Sequence, residues 1–336
     1  MTGSEVTIPQ LCAKLTTLQD STAKVAITSH IRPDGDAIGA ALGLYHLLQK
    51  INIDVTIIDL GPIPDRYRFL TESITIYNSD DCSPHEYHLL IVLDTGSIDR
   101  APDFVPDWMQ DIETINIDHH PTNTCFAPLN CVVPTASAVA EIITQMASHA
   151  EWHMPTEAAT ALWVGIVTDT GRFAYSCTTP ATLQAAATLL EAGVNTPAVD
   201  QYVFQAAPLG ALRLHARAIN NMQLLQNQRV AIIALSQQDF HDCGALGEDA
   251  EEIINLPRRI NSVEVAVVIT EMVQSTPDSI RTKASLRTKP PFDAGVFCQA
   301  LGGGGHARAA GCELPHTLAD TTDIIMKRIQ ETWFSA

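Results

Sequence analysis

The chain has 336 residues, 46% of them apolar, and 20 Lys and Arg against 38 Asp and Glu give it a net charge of −18. That length suffices for two domains with their own cores, and the acidic balance excludes a protein that coats long nucleic acid by charge. No apolar run reaches the ~18 to 20 residues of a membrane span and no basic-then-apolar leader is seen, while the eight cysteines form no Cys-x-x-Cys pair that would suggest a zinc ribbon or a disulfide framework, so a cytoplasmic protein that engages no membrane is expected.

Ile8, Leu11, Leu15 and Leu18 recur at helical spacing and predict an amphipathic first helix. The stretch Val25 to Gly43, VAITSHIRPDGDAIGAALG, reads as a strand, a Pro-Asp-Gly turn and a helix. Ile53 to Asp59 is a second strand, the apolar run Leu89 to Leu93 a third that ends in Asp94-Thr95-Gly96, and Thr114 to Ile117 a fourth that ends in Asp118-His119-His120. Buried parallel strands have this continuous apolar character. Thr156 is expected to N-cap a helix whose apolar face is Ala159, Leu162, Trp163, Ile166 and Val167 and which delivers Thr168-Asp169-Thr170-Gly171.

Alternating strands and helices predict an α/β fold: a doubly wound, mainly parallel sheet over residues 1–194. Residues 195–228, interrupted by Pro197, Pro208 and Gly210, read as a partly helical linker. A smaller α/β domain over 229–336 follows, with strands Arg229 to Leu235, Val263 to Thr270 and Ile280 to Arg287 and a closing helix from about Thr317 to Trp333.

Four segments share one design, an apolar element ending in Asp or His beside Gly, Thr or Pro. His30, Asp34 and Asp36 come from the first, Asp94 from the second, His119 and His120 from the third and Asp169 from the fourth. In an open α/β sheet such endings gather at the carboxyl edge, where ligands bind. Clustered carboxylates raise one another's pKa, so they call for divalent cations to neutralise them. Carboxylate and imidazole without thiolate favour Mn²⁺, Mg²⁺ or Fe²⁺ over structural zinc. The set suffices for two ions ~3.5 to 4 Å apart with one carboxylate bridging, an arrangement that activates water for displacement at phosphorus. Mn²⁺ heads the candidates, with Mg²⁺, Co²⁺ and Fe²⁺ behind it. Asp118 is expected to orient a histidine, since a metal-bound imidazole needs an acceptor behind it.

A second signal is Gly302-Gly303-Gly304-Gly305-His306-Ala307-Arg308-Ala309-Ala310-Gly311. Glycine leaves N–H groups unshielded and free to take positive φ, which suits a phosphate or carboxylate, and His306 and Arg308 add donors. The flanking Phe297, Leu301, Ala309 and Ala310 indicate a packed turn rather than a linker. Upstream, Arg281, Lys283, Ser285 and Arg287 alternate with apolar positions and so share a strand face. Arg281 and Lys283 read as solvated, and Arg287 as a bidentate phosphate binder.

The motifs His30-Ile-Arg-Pro-Asp34-Gly-Asp36-Ala-Ile-Gly, Asp94-Thr-Gly, Asp118-His119-His120 and Thr168-Asp169-Thr-Gly resemble, in order and spacing, the four motifs of the DHH phosphoesterase superfamily. Ala40 departs from it where relatives often have Ser, a matter of helix packing. The resemblance implies that His30 and Asp34 hold one metal, that Asp36, His119 and Asp169 hold the other and that Asp94 bridges them. It also implies that His119 and Asp94 take part in catalysis and that His120 orients the attacked phosphate or aids the leaving oxygen. The glycine segment and its Ser-Leu-Arg strand resemble the DHHA1 domain, which implies that Arg287, Gly303, Gly304, Gly305 and His306 grip the substrate's nucleotide or terminal phosphate across a cleft between the domains.

Together the two halves resemble the nanoRNase branch of that superfamily. The implied activity is hydrolysis of RNA of about two to five nucleotides to mononucleotides and dephosphorylation of 3′-phosphoadenosine 5′-phosphate to AMP. Long duplex nucleic acid is an expected non-partner, and a homodimer is expected. Competing readings are a phosphodiesterase for linear dinucleotides such as pApA or pGpG, or for cyclic di-AMP itself, and a catalytically silent nucleotide-binding regulator. The glycine–histidine loop speaks against an inorganic pyrophosphatase of the superfamily, and chain length against a RecJ-type exonuclease.

Overall fold

A computed structural model describes residues 3–272 and 280–334. The chain forms two compact units that divide between Ala206 and Ala207. Among the described residues, no helix is long and apolar enough to cross a membrane.

The first unit is built from strands β1 (Ser4–Glu5), β2 (Lys24–Ser29), β3 (Asp54–Ile58), β4 (Ile76–Tyr77), β5 (Leu89–Leu93), β6 (Glu113–Asp118) and β7 (Leu129–Val132). Its helices are α1 (Ile8–Thr16), α2 (Gly35–Lys50), α3 (Val105–Asp111), α4 (Val139–His149), α5 (Thr156–Asp169), α6 (Pro180–Glu191) and α7 (Thr196–Phe204). The seven strands pair in the order β1-β7-β6-β5-β2-β3-β4, all parallel. The winding reverses between β2 and β5, so the loops after these two strands flank the switch point where doubly wound sheets bind ligands.

Period-two alternation divides each buried strand between two cores. Val25, Ile27, Leu89, Ile91 and Leu93 face the large core shared with α1, α2, α4, α5 and α6. Ala26, Leu90 and Val92 face a smaller core closed by Val105 and Trp108 of α3. Thr156 does not cap α5: Pro155 is the N-cap residue, and the Thr156 hydroxyl instead donates to the Ala192 carbonyl at 2.9 Å, tying the start of α5 to the end of α6.

The second unit contains α8 (Leu209–Asn220), β8 (Gln223–Leu225), β9 (Val230–Leu235), α9 (Gln237–Cys243), α10 (Asn255–Arg258), β10 (Val265–Glu271), β11 (Thr282–Thr288), α11 (Ala294–Gln299), β12 (Gly304–His306), β13 (Ala309–Leu314) and α12 (Leu318–Trp333). The helices of the expected linker divide between the units, α7 placing Val199 and Val203 in the first core and α8 placing Leu214 and Ala218 in a core of the second. The six-stranded sheet runs β12-β13-β11-β10-β9-β8. Only β9 and β10 pair in parallel, and the rest are antiparallel. One face packs on α11 and α12, and α8 and α9 cover β9 and β10 on the other.

Candidate metal centre

Each side chain of the candidate centre lies at the carboxyl end of a strand of the first unit or at a helix terminus beside it. His30 follows β2 and is buried, 3% exposed. Asp34 is the N-cap of α2, its Oδ1 accepting from the N–H groups of Asp36 and Ala37 at 3.0 and 3.1 Å. Asp36 is fully buried and accepts from the Val139 and Ala140 N–H groups at 2.6 and 2.9 Å. It thereby caps α4, whose own N-cap residue is an alanine, and meets the positive end of that helix. Asp94 follows β5 with φ +52, a left-handed conformation that Asp tolerates better than most residues. Asp169 is the last residue of α5.

Two hydrogen bonds fix the histidine tautomers. His30 Nδ1 lies 2.9 Å from the Ile31 carbonyl and His119 Nδ1 lies 3.3 Å from that of Ala136. A carbonyl only accepts, so Nδ1 carries the proton and Nε2 is left with its lone pair. That lone pair is what a cation needs. His30 Nε2 stands 3.5 Å from Asp94 and 4.0 Å from Asp34, and His119 Nε2 stands 3.7 Å from Asp94 and 3.4 Å from Asp169. These spacings leave room for an ion between nitrogen and oxygen. The donor atoms form groups within 4.8 Å of one another: His30, Asp34 and Asp94; Asp36, His119 and Asp169; and Asp94, His119 and His120.

The electrostatics fit the same occupant. Asp94 Oδ1 is buried with no hydrogen-bond partner, an arrangement that costs about 1 to 3 kcal/mol if nothing completes it. Burial first, then the neighbouring Asp36, Asp34 and Asp169, hold the Asp94 carboxyl well above the ordinary range. Burial and the charges of Asp36 and Asp34 do the same to Asp169. Burial pushes Asp36 up to about 6, against the pull of His119 and the Ala140 N–H. Burial keeps His30 below its usual value and so neutral. Three carboxyls disfavoured as anions beside two lone-pair imidazoles are a donor set that divalent cations would stabilise.

His120 is held differently. Its Nδ1 donates to Asp118 Oδ1 at 2.7 Å and stands 3.6 Å from Asp94 Oδ1. Burial raises the Asp118 carboxyl, but the His120 and Asn123 hydrogen bonds outweigh it and hold Asp118 below its ordinary value. Asn123 was not legible as a site residue: its amide donates to Asp118 Oδ2 at 2.5 Å and to Asn116 Oδ1 at 2.8 Å, so it pins the acceptor behind His120. Its place three residues after His120 is the signal that could have drawn notice. Gly165 was likewise missed. A Cβ there would stand 2.6 Å from the Ala140 Cβ and 2.7 Å from Asp36 Oδ1, and one on Gly39 would stand 2.4 Å from the Ala161 carbonyl. The Gly35-x-x-x-Gly39-x-x-x-Gly43 spacing marks the close approach of α2 and α5 that brings Asp36 beside Asp169. Ala40 is buried in the core of this unit.

In the second unit, Arg287 on β11 pairs with Ala309 on β13, which pairs with His306 on β12. Directly paired residues project from the same face, so Arg287 and His306 flank the small Ala309. The next row, Ser285, Gly311 and Gly304, is small throughout, and nothing would meet a Cβ on Gly304. Gly303 and Gly305 pack inward, where a Cβ would stand 2.2 and 2.5 Å from the carbonyls of Gly311 and Ala309. The glycine segment is therefore an edge strand of a hairpin. Arg308 spends its guanidinium on the Phe292 carbonyl.

Residues 24–166 match the model of the DHH family, N-terminal domain, and residues 227–332 match that of the DHHA1 domain. The chain is 30% identical over 290 residues to the bifunctional oligoribonuclease and PAP phosphatase NrnA of Thermus thermophilus, covering 86% of this chain and 84% of the relative. The chain belongs to the DHH–DHHA1 phosphoesterase family. Its members are hydrolases of phosphoester bonds, and every residue of the candidate centre except Asp169 lies within the stretch that matches the first domain. The Bacillus subtilis protein of the same description is 26% identical, covering 86% of this chain and 89% of that relative. An exopolyphosphatase-related protein of Bacteroides fragilis superposes with a TM-score of 0.86 at 24% identity, over 96% of this chain and 95% of that one, which shows the shared fold.

Proposed function

We propose that this protein hydrolyses RNA of about two to five nucleotides to mononucleotides and removes the 3′-phosphate of 3′-phosphoadenosine 5′-phosphate, with catalysis in residues 1–194 and substrate gripped by residues 229–336. The observation that carries the reading is Asp94, whose carboxylate belongs both to the group with His30 and Asp34 and to the one with His119 and His120, and whose Oδ1 lacks any hydrogen bond. The relatives described as oligoribonuclease and PAP phosphatase, which match most of the chain, support the substrates. We further propose Mn²⁺ as the metal, the cytoplasm as the compartment and a homodimer as the assembly.

His30, Asp34 and Asp94 would hold one divalent cation, and Asp36, His119 and Asp169 the other, with Asp94 shared. When bound, such a pair supplies a water activated at neutral pH and neutralises charge on the phosphate. The chain's own groups do the rest. His120 presents Nε2 to the phosphate or to the leaving oxygen, and the Nδ1–H bond to Asp118 fixes the orientation of the ring. Arg287, His306 and the open glycine row hold the nucleotide and so supply positioning.

A panel of pApA, a phosphorylated trinucleotide, 3′-phosphoadenosine 5′-phosphate and inorganic pyrophosphate, each run with Mn²⁺, Mg²⁺ and Co²⁺, tests the reading. Turnover of the nucleotides with pyrophosphate untouched is expected. Activity confined to dinucleotides would favour a role in disposing of linear cyclic-dinucleotide products, and no turnover under any metal would favour a silent regulator.

A further inference from the structure

Two cations beside the centre have no part in what is described above. Arg32 lies in the loop between His30 and Asp34, and Arg100 closes the 3-10 turn Ile98–Arg100 after β5. The Ile31 N–H donates to the Arg100 carbonyl at 2.8 Å, which ties the two loops together across the switch point. Both residues are exposed. Among the described residues, neither guanidinium is ion-paired or hydrogen-bonded to another side chain.

The carboxylates of the centre are committed elsewhere. Asp34 caps α2, Asp36 caps α4, Asp118 takes His120 and Asn123, and Asp94 and Asp169 face imidazoles. Arg100 is close enough to act on His30, where its charge adds to burial in disfavouring the protonated ring. Arg32 is held at φ +58, a left-handed conformation that is unfavourable for a non-glycine residue, and the proline that follows narrows its choices further. Strain of this kind persists where surrounding structure enforces it, and it concentrates at ligand sites. In a chain with net charge −18, two uncommitted guanidiniums on adjoining loops are best explained by an anion that completes them.

We infer that Arg32 and Arg100 form an anion subsite on the rim of the metal centre that takes a second, unhydrolysed phosphate of the nucleotide. The planar guanidinium suits phosphate because it engages two oxygens at once. The inference rests on the reading that the reacting phosphate lies between Asp94 and His120. It makes the pair a determinant of specificity: a nucleotide with a 5′-phosphate is preferred over the same compound without one.

The test compares 3′-phosphoadenosine 5′-phosphate with adenosine 3′-monophosphate, which presents the same scissile bond and lacks the second phosphate. KM is measured with Mn²⁺ for wild type, Arg32→Gln, Arg100→Gln and the control Arg287→Ala, and unfolding midpoints in EDTA check that each variant is folded. Wild type should show the lower KM for the bisphosphate. Each of the two glutamine variants should raise that KM roughly tenfold or more, in line with one charge-assisted bond lost, and move the KM for the monophosphate much less. Arg100→Lys should recover part of the difference. Equal shifts for the two compounds, no shift, or a loss of discrimination confined to Arg287→Ala would overturn the assignment. If wild type hydrolyses neither compound, the catalytic reading falls on its own, and the ratio of the two affinities from equilibrium titration still decides the subsite.

Discussion

Asp94→Asn should make the metal-free protein more stable and the metal-loaded protein less so. Asparagine keeps the volume and the tolerance for the left-handed backbone at φ +52, but removes one negative charge from a group of carboxyls that raise one another's pKa. Asp94 Oδ1 has no hydrogen-bond partner, and a neutral amide is cheaper to leave buried there than a charged carboxylate. Wild type recovers that difference and more when Mn²⁺ binds, since a ligand at 100 times its dissociation constant adds about 2.7 kcal/mol. The variant, without the shared carboxylate, should gain little from Mn²⁺ and should lose metal-dependent hydrolysis. Unfolding followed by tryptophan fluorescence reads the difference well, because Trp108, Trp152 and Trp163 lie in the first unit and only Trp333 in the second. A variant that is less stable than wild type in EDTA and gains equally from Mn²⁺ would refute the reasoning.

Gly165→Ala should push against Ala140 and Asp36 Oδ1, cost about 1 to 3 kcal/mol of stability by overpacking and weaken Mn²⁺ binding in a calorimetric titration; unchanged affinity would detach this glycine from the centre. Asn123→Ala frees Asp118 behind His120 and should lower kcat about 10- to 100-fold, the usual range for such supports, with KM little altered; a change in KM alone would count against an orienting role. Arg287→Ala should mainly raise KM, and an unchanged KM would remove it from substrate binding. For pH, Asp36 titrates at about 6 when folded against 3.8 unfolded, so folded protein binds the extra proton and stability rises as pH falls through that window. The shift of about two units corresponds to about 3 kcal/mol. Asp94 and Asp169 act in the same direction, while His30, lowered when folded, opposes them below about 6.5. In EDTA the unfolding midpoint should therefore rise from pH 7.5 towards 5.5, and with saturating Mn²⁺ it should fall as protons compete for the same oxygens. Identical slopes in the two conditions would contradict the cluster's electrostatics.

The centre was legible because its chemistry sits at element ends. The apolar runs Val25 to Ile27 and Leu89 to Leu93 announce strands buried on both faces, and the residues that follow them, His30 and Asp94, fall at the sheet's switch point by topology alone. What escaped the sequence carries no such period. β1 and β4 are two residues long, too short for alternation to show. β12 is Gly304–His306 and β13 begins Ala309-Ala310-Gly311, residues with little strand preference that hold their place by pairing with β11. Thr156 had the right residue type for a cap, but its hydroxyl found the Ala192 carbonyl across the fold. The supports of the site, Asn123 and Gly165, depend on contacts between separate segments, and only a folded chain brings Gly165 against Asp36.

Anomalous diffraction at the manganese edge, on crystals grown with Mn²⁺, tests the central claim most directly. Two peaks are predicted on either side of the Asp94 carboxylate, one against His30 and Asp34 and the other against Asp36, His119 and Asp169, ~3.5 to 4 Å apart. A single peak, or none in contact with Asp94, would contradict the two-cation centre.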